Sequence, residues 1–206
     1  MAVSDDEILL STDVAADYLV RVGLRRVYWV ATNEVGDYLR AEHGLQFEKD
    51  APSAVLLTYD TSLDYAKLAA VTRHLQGGVR YFATHADCVC PTPGGPLPDV
   101  GAFIELLRVA TGRTPEIVFG KPNRAMVDAG LARAGAEYCD AAVIGDRLYT
   151  DIALAEGIDM LSVLVLSGET TRAHYESQER RASIVVRDLA RLGQALEARV
   201  QRDTPG

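Results

Sequence analysis

Ala141-Ala142-Val143-Ile144-Gly145-Asp146-Arg147-Leu148-Tyr149-Thr150-Asp151 sets an apolar run against a glycine and two carboxylates. The run has the length and bounding residues of a buried strand, and a helical stretch, Ile152 to Glu156, follows it. In an open α/β sheet that order places Asp146 and Asp151 at the carboxyl edge of the strands, where ligands bind. Two carboxylates there suit Mg²⁺, which takes one or two protein oxygens and completes its octahedron with water and substrate phosphate. The same residues can equally close a strand end (Asp146) and cap the next helix (Asp151).

Outward from this stretch, strands and amphipathic helices alternate along the 206 residues, the pattern of an α/β fold with a parallel sheet. Ile8-Leu9-Leu10 reads as the first strand. Ser11, Thr12 or Asp13 then caps a helix with Val14, Tyr18 and Val22 on one face. Val27 to Val30, Ala54 to Leu57 and Val79 to Thr84 are further strands. Helices are expected over Val35 to Glu42 and beyond Asp60, Thr61 or Ser62, the latter presenting Tyr65, Leu68, Thr72 and Leu75. The segment His85 to Pro98 holds four prolines and two glycines and is the candidate domain boundary. After it come a helix (Val100 to Ala110), strand Glu116 to Phe119, helix Ala125 to Ala134, and strands Ala142 to Ile144, Leu161 to Leu166 and Ile184 to Val186. A helix from Leu189 to Val200 closes the chain.

Composition narrows the function classes. Hydrophobic residues make up 48% and charged residues 24%, the proportions of a globular protein. A net charge of −8 has the wrong sign for neutralising nucleic-acid phosphates, so no nucleic-acid partner is expected. No apolar run approaches the ~18 residues of a membrane span. The acidic start Ser4-Asp5-Asp6-Glu7 is unlike a signal peptide, and the three cysteines form no disulfide framework. Both point to a soluble, cytoplasmic protein.

Gly120-Lys121-Pro122 follows a strand of its own, and Lys121 there can neutralise a phosphate. Read as successive strands of one βαβ unit, the Lys121 and Asp146 strands are expected side by side. The segment is no P-loop: Pro115 stands where that motif needs Gly, and Pro122 where it needs Ser or Thr. Neither a GxGxxG fingerprint nor a GxSxG elbow occurs. His85-Ala86-Asp87-Cys88-Val89-Cys90 offers metal-ligand residue types, but its Cys-x-Cys has no matching second pair. His43, His74 and His174 read as ordinary solvated histidines.

These motifs resemble a known family. Gly120-Lys121-Pro122, Gly145-Asp146-Arg147-Leu148-Tyr149-Thr150-Asp151 and Val163-Leu164-Val165-Leu166-Ser167-Gly168 are similar to the second half of the haloacid dehalogenase (HAD) superfamily. The similarity is narrowest to its branch of NagD-like, para-nitrophenyl phosphate and phosphoglycolate phosphatases. Tyr81 to Asp87 resembles the end of that branch's α/β cap, and Thr111-Gly112-Arg113-Thr114-Pro115 its approach to the motif lysine. The resemblance implies a Rossmann-like core formed by residues 1–12 and 96–206, with a cap at 13–95 inserted in it. It implies Lys121 as the catalytic lysine holding the phosphoryl group and Asp146 and Asp151 as the Mg²⁺ site. Thr84, His85, Asp87 and Lys121 would contact a small phosphorylated metabolite, and such caps often pair into homo-oligomers.

The chain departs from the pattern in one respect. Ahead of the cap, family members carry a strand ending in Asp-x-Asp-Gly, whose first aspartate attacks phosphorus, and a second strand ending in Thr or Ser; residues 1–12 resemble the strand after those two, and no Asp-x-Asp-Gly occurs in these 206 residues. Three readings follow: a HAD phosphatase whose N-terminal sequence is incomplete, a non-catalytic phosphate-binding or regulatory relative, and a generic α/β ligand-binding module.

Overall fold

Continuous apolar runs, rather than alternating ones, mark strands buried on both faces. Ala54–Leu57 is the clearest case, with all four residues buried. The computed structural model describes residues 3–203 and divides into two compact units, Met1–Met126 and Val127–Gly206.

The first unit runs α1 (Ser11–Arg21), β1 (Arg26–Val30), α2 (Asn33–His43), β2 (Gln46–Phe47), β3 (Ala54–Leu57), α3 (Tyr65–Gln76) and β4 (Arg80–Ala83). It continues through β5 (Val89–Cys90), β6 (Leu97–Pro98), α4 (Val100–Thr111) and β7 (Ile117–Val118). Five strands form one parallel sheet in the order β2-β1-β3-β4-β7, with Tyr28 opposite Val55 and Val55 opposite Tyr81. Val30, Val55, Leu57, Tyr81, Val100 and Leu107 pack in its main core, each such side chain contributing about 1.5–3 kcal/mol on burial. Helix ends follow the sequence signals: Thr32 Oγ1 accepts from Val35 N at the start of α2, and Gly44 ends it at φ 63°, where a side chain would be strained.

Several expectations are corrected here. Ile8-Leu9-Leu10 is extended but belongs to no strand among the described residues, with Ile8 and Leu10 each 48% exposed; α1 begins directly after it, tied by Asp13 Oδ2 accepting from Leu10 N at 2.9 Å. The cap of α3 is Asp64, whose Oδ1 accepts from Lys67 N at 2.8 Å, while Asp60 turns inward to Lys67. The proline-rich segment closes as a β5–β6 hairpin, Val89 opposite Pro98 and Cys90 opposite Leu97. Among the described residues β7 pairs with β4, and the strand that ends at Asp146 pairs with β9, in place of the expected pairing of the Lys121 and Asp146 strands. The cause is the crossover through α4, which packs against α3 and returns the chain to the free edge of β4. His43 is not solvated: its ring is 9% exposed and lies 3.3 Å from Asp13 Oδ1 and 3.0 Å from Asp17 Oδ1, joining α2 to α1.

Helix α5 (Ala125–Ala134) straddles the division. The second unit then holds β8 (Ala142–Gly145), a 3₁₀ turn (Ile152–Ala155), β9 (Leu161–Val165), α6 (Arg172–Ser177), β10 (Ile184–Val186) and α7 (Leu189–Asp203). Its three strands are parallel in the order β10-β9-β8, and Leu148, Ile152 and Leu164 form its buried centre.

Candidate functional site

In the second unit, strand β8 ends at Gly145 and delivers Asp146 into the loop that follows. Asp151, 4% exposed, folds back so that its Oδ2 accepts from Asp146 N at 3.2 Å and Arg147 N at 3.1 Å. Only glycine permits this at 145: a Cβ there would sit 2.2 Å from the Asp151 side chain. Asp151 therefore acts on the backbone that carries Asp146. Asp146 itself is fixed from the β9 side, its Oδ2 accepting from Glu169 N at 2.7 Å and its carbonyl from Thr170 N at 3.1 Å. Gly168 makes room for that approach, since a Cβ would fall 2.0 Å from Asp146 Oδ2. Arg147 Nε meets Glu169 Oε2 at 2.7 Å and ties the two loops together.

Asp146 Oδ1 accepts no hydrogen bond from a described residue. A positioned carboxylate oxygen at a strand edge, with a second carboxylate ordering its loop, fits a hard cation such as Mg²⁺, which needs few protein ligands. Of the two carboxylates expected as ligands, Asp146 presents an oxygen and Asp151 orients it.

The first unit gathers the other candidates. Thr84 and His85 follow β4, with Thr84 buried and its Oγ1 3.0 Å from His85 Nδ1. His85 Nε2 lies 2.8 Å from Asp99 Oδ1, the residue that caps α4 by accepting from Val100 N at 2.7 Å. Asp87 joins them: one ligand atom each from His85, Asp87 and Asp99 lies within 4.8 Å of the others. Gly120 abuts this loop, its missing Cβ falling 2.7 Å from His85 Cβ, and brings Lys121 to the same edge. Asn123 holds the lysine turn in shape, donating to Val118 O at 2.7 Å and accepting from Ala125 N at 2.9 Å. A cleft of about 480 Å³ opens here, lined by Ala86, Ile117, Gly120, Lys121, Pro122 and Asn123. Thr84, His85, Asp87 and the Lys121 turn thus converge within the first unit, and Asp146 and Asp151 within the second.

Asp99 and Gly168 escape sequence reading as site residues. Asp99 precedes an apolar helix and carries the signal of a cap, but nothing in the sequence places it against His85. Gly168 ends an apolar run without showing that it faces a carboxylate.

Fold and loops define a Rossmann-like α/β protein with an acidic loop at a strand end. A HAD-hydrolase-like family model matches residues 118–192. The chain is 30% identical over 201 residues to the D-glycerol 3-phosphate phosphatase of Mycobacterium tuberculosis, covering 97% of this chain and 51% of that protein. The crystal structure of a 4-nitrophenylphosphatase from Thermotoga maritima superposes with a TM-score of 0.89 at 34% identity, covering 94% of this chain and 74% of that one. A glycerol phosphate phosphatase of M. tuberculosis solved in complex with magnesium gives 0.80 at 30% identity, over 89% and 57% of the two chains. The chain belongs to the HAD-like hydrolase family. It spans about half the length of the first curated relatives it matches, 51% and 52%.

Proposed function

We propose that this chain is part of a HAD phosphatase acting on a small phosphate monoester, in which it contributes a cap and the second half of a core. The observation that carries the reading is the Asp146 carboxylate, fixed at the end of β8 by the Glu169 amide with Oδ1 left to meet a cation. Residues 13–95 would form the cap, and residues 1–12 and 96–206 the core. Asp146 would hold Mg²⁺ and Asp151 would keep its loop in place. When bound, the ion would neutralise phosphoryl oxygens and so lower the cost of charge build-up in transfer. Lys121 would supply a point charge to a phosphoryl group, and Thr84, His85 and Asp87 would form the cap loop toward the rest of the substrate. The setting is cytoplasmic, supported by the cysteine usage; among the described residues no helix is long and apolar enough to cross a membrane. Homo-oligomerisation belongs to the same proposal, supported by the apolar edge strand β8, where Ile144 is 46% exposed.

These roles are positioning and charge stabilisation, which make up most of phosphoryl-transfer catalysis. The covalent step of the family needs an aspartate from Asp-x-Asp-Gly, which the 206 residues do not contain. The 206-residue polypeptide is accordingly expected to bind Mg²⁺ and inorganic phosphate without turning over p-nitrophenyl phosphate. Isothermal titration tests it: Asp146→Asn should weaken Mg²⁺ binding by about tenfold or more, and Lys121→Ala should weaken phosphate binding in the presence of Mg²⁺. Affinities unchanged in both variants would overturn the assignment.

A further inference from the structure

The His85, Asp87 and Asp99 cluster is tighter than a substrate loop requires. We propose that it is a second divalent-metal site, in the first unit and separate from Asp146, built for a first-row transition ion such as Zn²⁺. One imidazole and two carboxylates make a mixed nitrogen and oxygen donor set of the kind Zn²⁺ accepts with further positions open to water or an anion. The three ligand atoms already lie within 4.8 Å of one another, and none of the three residues is fully exposed.

Three features of the surroundings favour an ion. First, His85 Nε2 and Asp99 Oδ1 stand 2.8 Å apart, so a proton on Nε2 joins them when no ion is bound and a metal ion would take that proton's place. Second, the far ring nitrogen is held as metal-binding histidines usually are. Thr84 Oγ1 lies 3.0 Å from His85 Nδ1 and reaches Leu57 O at 3.4 Å. In the tautomer that an ion would select, the hydroxyl proton goes to Leu57 O, Thr84 Oγ1 accepts the Nδ1 proton, and Nε2 has a lone pair for the ion. Third, the loop is clamped in this shape. Gly101 N donates to Asp87 O at 2.8 Å and Asp99 N to Cys88 O at 3.0 Å; a Cβ on Gly101 would fall 2.3 Å from Ala86 O. The ligands are thus ordered before any ion arrives, which lowers the entropic cost of binding it.

The thiols that make this segment look like a zinc motif in sequence are not part of the site. Cys88 is exposed, with its Sγ 4.0 Å from Ala86 O, and Cys90 Sγ lies 4.0 Å from Pro91 O. The imidazole and carboxylate ligands instead come from residues 85, 87 and 99, brought together because the β5–β6 hairpin returns the chain to its starting point.

The test is Zn²⁺ titration of the full chain after chelator treatment, read by calorimetry, with Co²⁺ as a spectroscopic probe. Wild type, Cys88→Ser/Cys90→Ser and Asp146→Asn should each bind one equivalent with similar affinity. His85→Gln and Asp87→Asn should weaken binding by more than about tenfold, and the positioning variant Thr84→Val by about tenfold. Circular dichroism checks that each variant is folded. The Co²⁺ spectrum should show d–d bands without thiolate charge transfer. Absence of stoichiometric binding to wild type would overturn the site and leave a plain His–Asp hydrogen bond. Loss of binding in the double cysteine variant, or in Asp146→Asn, would also overturn it by moving the ion elsewhere. Failure of the phosphatase reading shows separately, as Mg²⁺ affinity insensitive to Asp146→Asn.

Discussion

Asp60 is a carboxylate whose side chain has no solvent exposure, and Lys67 Nζ reaches its Oδ2 at 2.6 Å, bonding also to Ser62 Oγ and Ala31 O. Burial alone would raise the Asp60 pKa, but hydrogen bonds from Lys67 and Ser62 and the lysine's charge outweigh it and hold the value below the ordinary 3.8. A folded-state value lower than the unfolded one means stability present above about pH 4 and lost as the pH falls through the folded value. Lys67→Met should therefore cost about 2–3 kcal/mol in urea unfolding at pH 7, less than a fully buried pair because Lys67 is partly solvated. The cost should shrink as the pH is lowered and Asp60 takes up a proton in the variant. A penalty independent of pH would mean that the lysine acts through packing alone.

At the level of elements, most of the fold could be read from apolar periodicity, because helix and strand identity are local properties. Helix α5 runs Ala125–Ala134 as the sequence indicates, and β3 occupies Ala54–Leu57. Pairing is not local: β7 holds to β4 through Phe82 opposite Ile117 and Ala83 opposite Val118, a choice invisible in Ile117-Val118 itself. The site divides the same way. Asp146 and Lys121 stand out as candidates because each follows a strand, whereas Asp99 and the Glu169 amide arrive from distant segments. Gly168 tests how far Asp146 depends on its neighbouring loop. Gly168→Ala puts a methyl 2.0 Å from Asp146 Oδ2 and should lower Mg²⁺ affinity by about tenfold while far-UV circular dichroism stays unchanged. Gly193→Ala is the control. It lies within α7 with nothing inside 4 Å, so it should stabilise that helix by about 0.5–1 kcal/mol and leave Mg²⁺ binding intact. Equal effects of the two substitutions on Mg²⁺ would remove the Gly168 contact from the account.

Across the whole molecule, the two units differ in how much core they own. The first buries a continuous cluster under a five-stranded sheet, whereas the second centres on Leu148, Ile152 and Leu164 and leaves Ile144, Leu161 and Ile184 between 42% and 52% exposed. Less apolar burial means a smaller stabilising term, so the second unit should unfold at lower denaturant. The single tryptophan, Trp29, is buried in the first unit and reports on it alone, while far-UV circular dichroism sees both units. The dichroism transition should thus begin before the fluorescence transition. Ligands should then move the phases independently, since each stabilises only the unit that binds it, by about 2.7 kcal/mol at a hundredfold excess over Kd: Mg²⁺ should bring the early phase toward the late one, and Zn²⁺ should draw them apart. Mg²⁺ should shift the early dichroism phase and lose that effect in Asp146→Asn; Zn²⁺ should shift the Trp29 phase and lose it in His85→Gln. A single coincident transition, moved equally by both ions, would show that the units fold as one and that neither ion is confined to the unit named for it.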